Sequence, residues 1–254
     1  DAALQLLDLQ LPDTVQREGG LVGSIPLESV RELGAAALAA WAGLPGHADV
    51  TSLWQDAVSR AHDLGEAVIA LWLALFAEQG LVVVDPRLPA FRAAARPILE
   101  RYLANADALH AAARSAGARM EALTGKRELN DASLESFVFR IEGEARFKIA
   151  AAEARAGGGT LTLSPSVALR PAVQDGVFPT VAMACGPGEI AYLMQLREVF
   201  DGVGVRAAAP AVRFGATWLP SEACALLEAA SCEPWELVTH TDAVLARVAE
   251  TRVP

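Results

Sequence analysis

The chain has 254 residues, of which 53% are hydrophobic, 20% charged and 6% aromatic, so it can bury a large core and a disordered chain is excluded. Its net charge of −10 excludes a nucleic-acid surface as the main function, because neutralising phosphates takes clustered Lys and Arg. A local anion pocket built from a few convergent arginines remains compatible with that charge.

The elements read as follows in chain order. Residues 4–11, LQLLDLQL, alternate imperfectly and predict a strand, and LVGSI (21–25) a second extended piece stopped by Pro26. Residues 27–42 carry helical spacing. Ser52 is placed to cap a long helix running to about Gln79, with Gly80 where a helix-ending glycine belongs. The run AVIALWLALFA (67–77) within it is the longest apolar stretch and falls short of the roughly 18–20 residues that span a bilayer, so no membrane segment is expected. LVVVDP (81–86) predicts a buried strand of the parallel-sheet kind. Residues 88–122 are helical, with bends expected at Pro97 and Gly117.

In the second half, SFVFRIEGEARFKIA (136–150) predicts two strands around a Glu-Gly-Glu turn, followed by a flexible Gly157-Gly158-Gly159 connection. FPTVAMAC (178–185) predicts a buried strand, and EIAYLMQLREVF (189–200) a helix. VRAAAPAVRF (205–214) reads as an edge strand because of Pro210. Residues 221–230 and the tail from Thr239 are helical. Alternating strands and helices argue for an α/β fold with a mostly parallel sheet.

Three cysteines without a CxxC pair, and four histidines (His47, His62, His110, His240) without metal-ligand spacing, predict reduced thiols and no metal site. No basic region opens the chain, so no signal peptide is expected, and the sparse cysteines fit a cytoplasmic protein.

The most specific local pattern is the predicted strand running into Gly186-Pro187-Gly188-Glu189-Ile190-Ala191 and then a helix. It fits the G-x-G-x-x-A turn that lets backbone approach a phosphate at a helix N-terminus. No acidic residue stands about 20 positions on to hold a ribose, which argues against NAD. Glu189 at the helix entrance would repel a phosphate. Glu189 and Tyr192 share a helix face, with Gln195 one turn further along; they can converge on a polar substrate, or Glu189 can cap the helix while Tyr192 packs as core. Arg170, Gln174 and Asp175 form a second candidate group: Arg170 can hold a carboxylate or phosphate and Asp175 can act as a base, or both are ordinary surface groups. Arg213 stands near the end of the last predicted strand, and Asp85 ends an earlier one.

Two segments together carry a resemblance: LFAEQGLVVVDPRLPAFRAAARPILERYL, and SPSVALRPAVQDGVFPTVAMACGPGEIAYLMQLREVFDGVGV with APAVRFGATWL after it. They resemble the bacillithiol biosynthesis cysteine-adding enzyme family, and the order of motifs is similar along nearly the whole chain. Ser166 stands where that family usually has Asn, and Cys185 where Gly is common. The resemblance implies a Rossmann-like α/β core with a large helical insertion, lacking the N-terminal half and most of a C-terminal coiled coil. It also implies strands over 1–26 finishing that missing half, a helical segment 27–128 with one buried strand at 81–84, a core segment 129–238 bearing the Gly-Pro-Gly-Glu turn, and the start of a coiled coil at 239–254.

The implied activity is an ATP-dependent ligase that adds L-cysteine to glucosaminyl-malate, in a cytoplasmic homodimer, with this piece inactive alone. The implied residues are Glu189 and Asp175 as catalytic groups; Arg170, Gln174, Tyr192, Gln195 and Arg213 on substrate; and Gly186, Pro187 and Gly188 on a nucleotide or phosphate. The competing readings are a non-catalytic α/β module that binds a sugar or nucleotide, and a helical interaction domain built on residues 27–122.

Overall fold

The computed structural model describes residues 20–217 and 219–251, and the strand expected at residues 4–11 lies outside them. The chain divides into two compact units, Asp1–Val212 and Arg213–Pro254.

The first helical element among the described residues is a 3-10 turn, Val22–Ser24, where an extended piece was expected. Helices α1 (Arg31–Ala40), α2 (His47–Arg60) and α3 (Leu64–Phe76) follow. The helix expected from Ser52 to Gln79 is thus two helices, and Ser52 lies inside the first. The break is made by Asp63. Its side chain accepts the Glu66 N–H to cap α3, and the neighbouring Leu64 N–H is taken by the Ile25 carbonyl. A small core of Ile25, Leu27, Val30 and Ala67 closes beneath that junction.

Residues 81–84 form no strand, which corrects the buried strand expected there. Among the described residues none pairs with this run, and Val82 is 80% exposed. A β-branched run becomes a strand only where another strand offers backbone donors and acceptors.

Helix α4 (Pro89–Thr124) then runs 36 residues without a break at Pro97 or Gly117. Its buried face, including Ile98, Tyr102, Leu109 and Ala113, lies at helical spacing and seeds the main core. Tyr102 is fully buried. Its hydroxyl lies 2.9 Å from His110 Nε2 and accepts the Phe137 N–H at 3.2 Å, with the three rings stacked.

Strands β1 (Val138–Glu142) and β2 (Ala145–Lys148) form the expected hairpin, turning at Gly143. After α5 (Ala151–Gly157), β3 (Leu163–Pro165) joins the other edge of β1, so this sheet is antiparallel in the order β2-β1-β3. Helix α6 (Arg170–Val177) leads to β4 (Ala182–Cys185), α7 (Pro187–Gln195), α8 (Arg197–Gly202) and β5 (Ala209–Val212). Strands β4 and β5 pair in parallel. Helices α6 and α8 pack on α4 through Val173, Val199 and Val203.

A mostly parallel sheet was expected. The described strands instead divide into an antiparallel three-stranded sheet and this one parallel pair. The helical crossover between β4 and β5 makes parallel pairing possible there, whereas a two-residue turn forces β1 and β2 to run antiparallel. The pair is also less buried than expected: of β4 only Cys185 is buried, and every residue of β5 is exposed.

The second unit holds α9 (Ser221–Ala229), α10 (Glu236–Thr239) and α11 (Thr241–Thr251) around Leu227, Ala230, Cys232 and Val244.

Candidate functional site

Helix α6 begins with Arg170-Pro171, and the fixed φ of proline suits a first turn. Arg170 and Gln174 stand four residues apart on its polar face, while Pro171, Ala172 and Val173 are buried. Both polar residues line a cavity of about 420 Å³. Strand β2 brings Arg146 to the same cavity, the first turn of α4 brings Arg92, and the segment after Pro86 brings Arg87. Four guanidinium groups therefore line this space, with Ser164 and Gln174 as neutral partners and no carboxylate in the lining.

The four arginines are not equivalent. Arg87 is committed to structure. Its guanidinium reaches Asp63 at 2.6 Å and Asp85 at 2.7 Å, and Nη1 also donates to the Gly23 carbonyl at 2.8 Å. Burial would raise Asp63, but the Arg87 and Glu66 hydrogen bonds outweigh it and hold the carboxyl below its usual value; Arg87 likewise lowers Asp85. Gly65 makes the close approach possible: a Cβ there would lie 2.7 Å from Arg87 Nη2 and 2.8 Å from the Gly23 carbonyl. Arg146 rests over the Phe139 ring, 4.7 Å from its centroid. Arg92, Arg146 and Arg170 make no ion pair among the described residues, so their charges are available to a ligand.

The Gly186-Pro187-Gly188 turn is arranged differently. It does join a strand to a helix, as its sequence predicts. The Glu189 carboxylate, however, folds back and accepts the Gly186 N–H at 2.7 Å. The chain's own anion thus occupies the helix entrance, where the backbone dipoles favour negative charge. Of the backbone donors at this turn, the carboxylate takes the Gly186 N–H.

Tyr192 packs half-buried on the main core. Burial and the nearby charge of Glu189 push its phenol above the usual value, against the pull of Arg170, so α6 and α7 share an electrostatic neighbourhood.

Gln195 is corrected from ligand binding to structure. It is 1% exposed, and its Oε1 accepts the N–H groups of Glu128 at 3.1 Å and Leu129 at 3.0 Å. One turn beyond Tyr192, the helix face has rotated into the core against Gly117. Asp175 lies about 100° round α6 from Gln174 and points elsewhere. Its Oδ2 accepts the Ala208 N–H at 2.7 Å, and it lines a separate hollow with Arg101 and Arg206. Arg213 is exposed and opens the second unit. Among the described residues no group of three His, Cys, Asp or Glu side chains assembles as a metal site, and no helix is long and apolar enough to cross a membrane.

Sequence reasoning missed Arg87, Arg92 and Arg146. The Asp85-Pro86-Arg87 spacing was a usable signal for Arg87, since an arginine two residues after a turn aspartate can fold back on it. Nothing local marked Arg92 or Arg146, which meet Arg170 only through the tertiary fold.

The β4–α7–α8–β5 crossover with its glycine turn is a Rossmann-like arrangement, here beside an arginine-lined cavity. Residues 9–158 and 158–214 match the family model described as "Bacillithiol biosynthesis BshC, N-terminal Rossmann-like domain", and the chain belongs to this BshC family. Among similar proteins, each named "Putative cysteine ligase BshC", the one from Solibacter usitatus is 29% identical over 84% of this chain and 43% of its own length. The one from Carboxydothermus hydrogenoformans is 26% identical over 74% of this chain and 38% of its own. That from Thermus thermophilus is 28% identical over 97% of this chain and 53% of its own. The chain spans about half, or less, of the length of the curated relatives it matches.

Proposed function

We propose that this chain forms the acid-binding part of a bacillithiol-pathway ligase that joins the carboxyl group of L-cysteine to the amino group of glucosaminyl-malate. The observation that carries the proposal is the cavity of Arg92, Arg146 and Arg170, which has no carboxylate in its wall and, among the described residues, three guanidinium groups without ion pairs. A malyl group presents two carboxylates, and planar guanidinium forks match carboxylates in bidentate fashion. Ser164 and Gln174 suit its hydroxyl or the sugar.

Tyr192 stands toward the Glu189 side of the same neighbourhood. There Glu189 Oε1 is left to hold an amine while Oε2 caps the helix. Asp175 positions the entrance to β5 in this scheme. ATP, a homodimer and a cytoplasmic setting belong to the same proposal through the family resemblance. ATP would drive the condensation by activating the cysteine carboxyl.

Calorimetric titration of malate and of glucosaminyl-malate into the 254-residue chain tests the site. Both should bind, and Arg170→Ala should weaken both at least tenfold. Equal affinity in wild type and variant, or no binding of either acid, would overturn the assignment.

A further inference from the structure

Helix α6 serves two separate spaces. Gln174 lines the acid cavity, whereas the next residue, Asp175, lines a hollow of about 550 Å³. This hollow lies at the entrances to the parallel pair: Thr180 and Val181 lead into β4, and Gly204, Arg206 and Ala207 lead toward β5. The glycine turn follows the carboxyl end of β4, so the two features sit at opposite ends of that strand. Three charged side chains line the hollow: Asp175, Arg101 and Arg206. Among the described residues none of them forms an ion pair, with one another or with any other group. Asp175 Oδ2 accepts the Ala208 N–H at 2.7 Å, while Oδ1 is buried and has no hydrogen-bond partner among the described residues. Arg101 Nε donates to the Val203 carbonyl, and its Nη groups and the whole Arg206 guanidinium make no hydrogen bond among the described residues.

A buried carboxylate oxygen without a donor is costly, and native structures contain few of them. Asp175 is also held in place. Its helix packs so closely on the core that a Cβ at Gly176 would lie 2.5 Å from Ile98 Cδ1 and 3.0 Å from Val205 Cγ2. The bond from the Ala208 N–H fixes the carboxylate from the β5 side. Opposite charges that share one hollow without pairing are bridged by a ligand that carries both signs. An ammonium group supplies the donor that Oδ1 lacks, and a carboxylate meets the guanidinium groups through charge-assisted hydrogen bonds. A ligand of one sign serves one side and is repelled by the other. Phe178, Pro179 and Val181 make the remaining wall apolar, which suits an aliphatic side chain.

We propose that this hollow binds an α-amino acid with an aliphatic side chain: its ammonium on Asp175, its carboxylate on Arg101 and Arg206, and its side chain on Phe178 and Val181. The site does not rest on the function proposed above. Neither Arg92, Arg146 nor Arg170 lines it, and no residue of the glycine turn does, so its occupant is an effector and not a reactant at the acid cavity. Phe178 lines both spaces, and α6 carries Gln174 to one and Asp175 to the other, which gives the effector a direct route to the acid cavity.

The test is calorimetric titration of the 254-residue chain with L-leucine, L-serine, 3-methylbutylamine and 4-methylpentanoate in separate runs. Wild type should bind L-leucine. The amine and the acid each lack one of its two charges and should bind at least tenfold more weakly, and L-serine, without the aliphatic side chain, several-fold more weakly. Asp175→Asn keeps an acceptor for the Ala208 N–H and should weaken L-leucine at least tenfold. Arg206→Gln, at an exposed position, breaks no ion pair or hydrogen bond and should weaken it at least fivefold; it carries the test if thermal melting shows that Asp175→Asn does not fold. Arg170→Ala should leave L-leucine binding unchanged. L-leucine binding that is absent in wild type, or unchanged in Arg206→Gln, overturns the site, and a loss of it in Arg170→Ala overturns the site by placing the ligand in the acid cavity. The acid binding as tightly as L-leucine overturns the Asp175 contact, and L-serine binding as tightly overturns the apolar wall.

Discussion

The glycine turn before α7 and the arginine cavity beside α6 answer the same requirement in opposite ways. The turn has the backbone pattern associated with anion binding, and the chain has set its own carboxylate, Glu189, on the Gly186 N–H. The cavity has no sequence pattern, and among the described residues three of its four arginines have no counter-charge. A backbone arrangement that favours negative charge is a site only where no internal anion is within reach. What marks the proposed binding surface is uncompensated charge. Among the arginines themselves the same distinction holds. Arg87 lies within 2.6 Å and 2.7 Å of two carboxylates and is a structural tie, whereas Arg170, on the same cavity, has none.

The largest effect that separates these two arginines is expected from Arg87→Ala. Removing it leaves Asp63 and Asp85, whose side chains are 22% and 17% exposed, without their shared cation, and it frees the Gly23 carbonyl. Breaking such an ion pair from one side costs about 3 kcal/mol. Arg170→Ala, which breaks no ion pair, should cost roughly 0.5 kcal/mol or less. Urea denaturation of both variants checks this, with the midpoint of Arg87→Ala falling well below that of Arg170→Ala. Equal midpoints would erase the division between the structural arginine and the one proposed to bind.

The next effect concerns Gln195, which shares a helix with the turn but faces the core. Gln195→Ala leaves the Glu128 and Leu129 N–H groups without their acceptor, at a cost of about 2 kcal/mol. Malate affinity should be kept under conditions where the variant is folded. A loss of malate binding with unchanged stability would return Gln195 to the ligand side.

These cases show what was legible in the sequence. Arg170 and Gln174 were legible because a four-residue spacing on a short helix puts two polar groups on one face whatever surrounds it. Gln195 was misassigned by the same rule, since spacing gives the face and not which way the face looks. The β1/β2 hairpin was readable from its turn. The 81–84 run was not, because its apolar residues describe a strand only in the presence of a neighbour, and none of the described residues supplies one. Arg92 and Arg146 come from α4 and β2, and their meeting with Arg170 is a property of packing alone.

A smaller effect tests the turn directly. Glu189→Ala removes the internal anion and should destabilise α7 by about 1 kcal/mol, the usual worth of a helix cap. It should also open the turn, so that inorganic phosphate protects the Gly186 amide from hydrogen exchange in the variant and not in wild type. Absence of that protection would mean that the backbone at the turn has no anion affinity of its own, and that Glu189 masks nothing.

The smallest expected effect is a pH dependence, to which a histidine and a pair of carboxyl groups contribute over different ranges. His110 is held below its ordinary value, first by burial and then by Arg114. The unfolded chain therefore takes up a proton before the folded one does, so stability falls as pH drops through about 6.5 toward the lower folded value. Asp63 and Asp85 are also lowered in the folded state. Their contribution is complete above the unfolded carboxylate value of about 3.9 and is lost as pH falls through the folded values. His110→Phe replaces the ring with one that cannot be protonated, at the loss of the Tyr102 contact. It should flatten the upper step and leave the lower one in place. Arg87→Ala should do the reverse, since it removes the cation that lowers both carboxyl groups while leaving the Tyr102–His110–Phe137 stack intact. Melting temperature against pH for the two variants therefore separates the core's titration from that of the ion-pair network beside the cavity. If both steps vanish together in either variant, the two regions are coupled through a common unfolding event that begins at the altered residue.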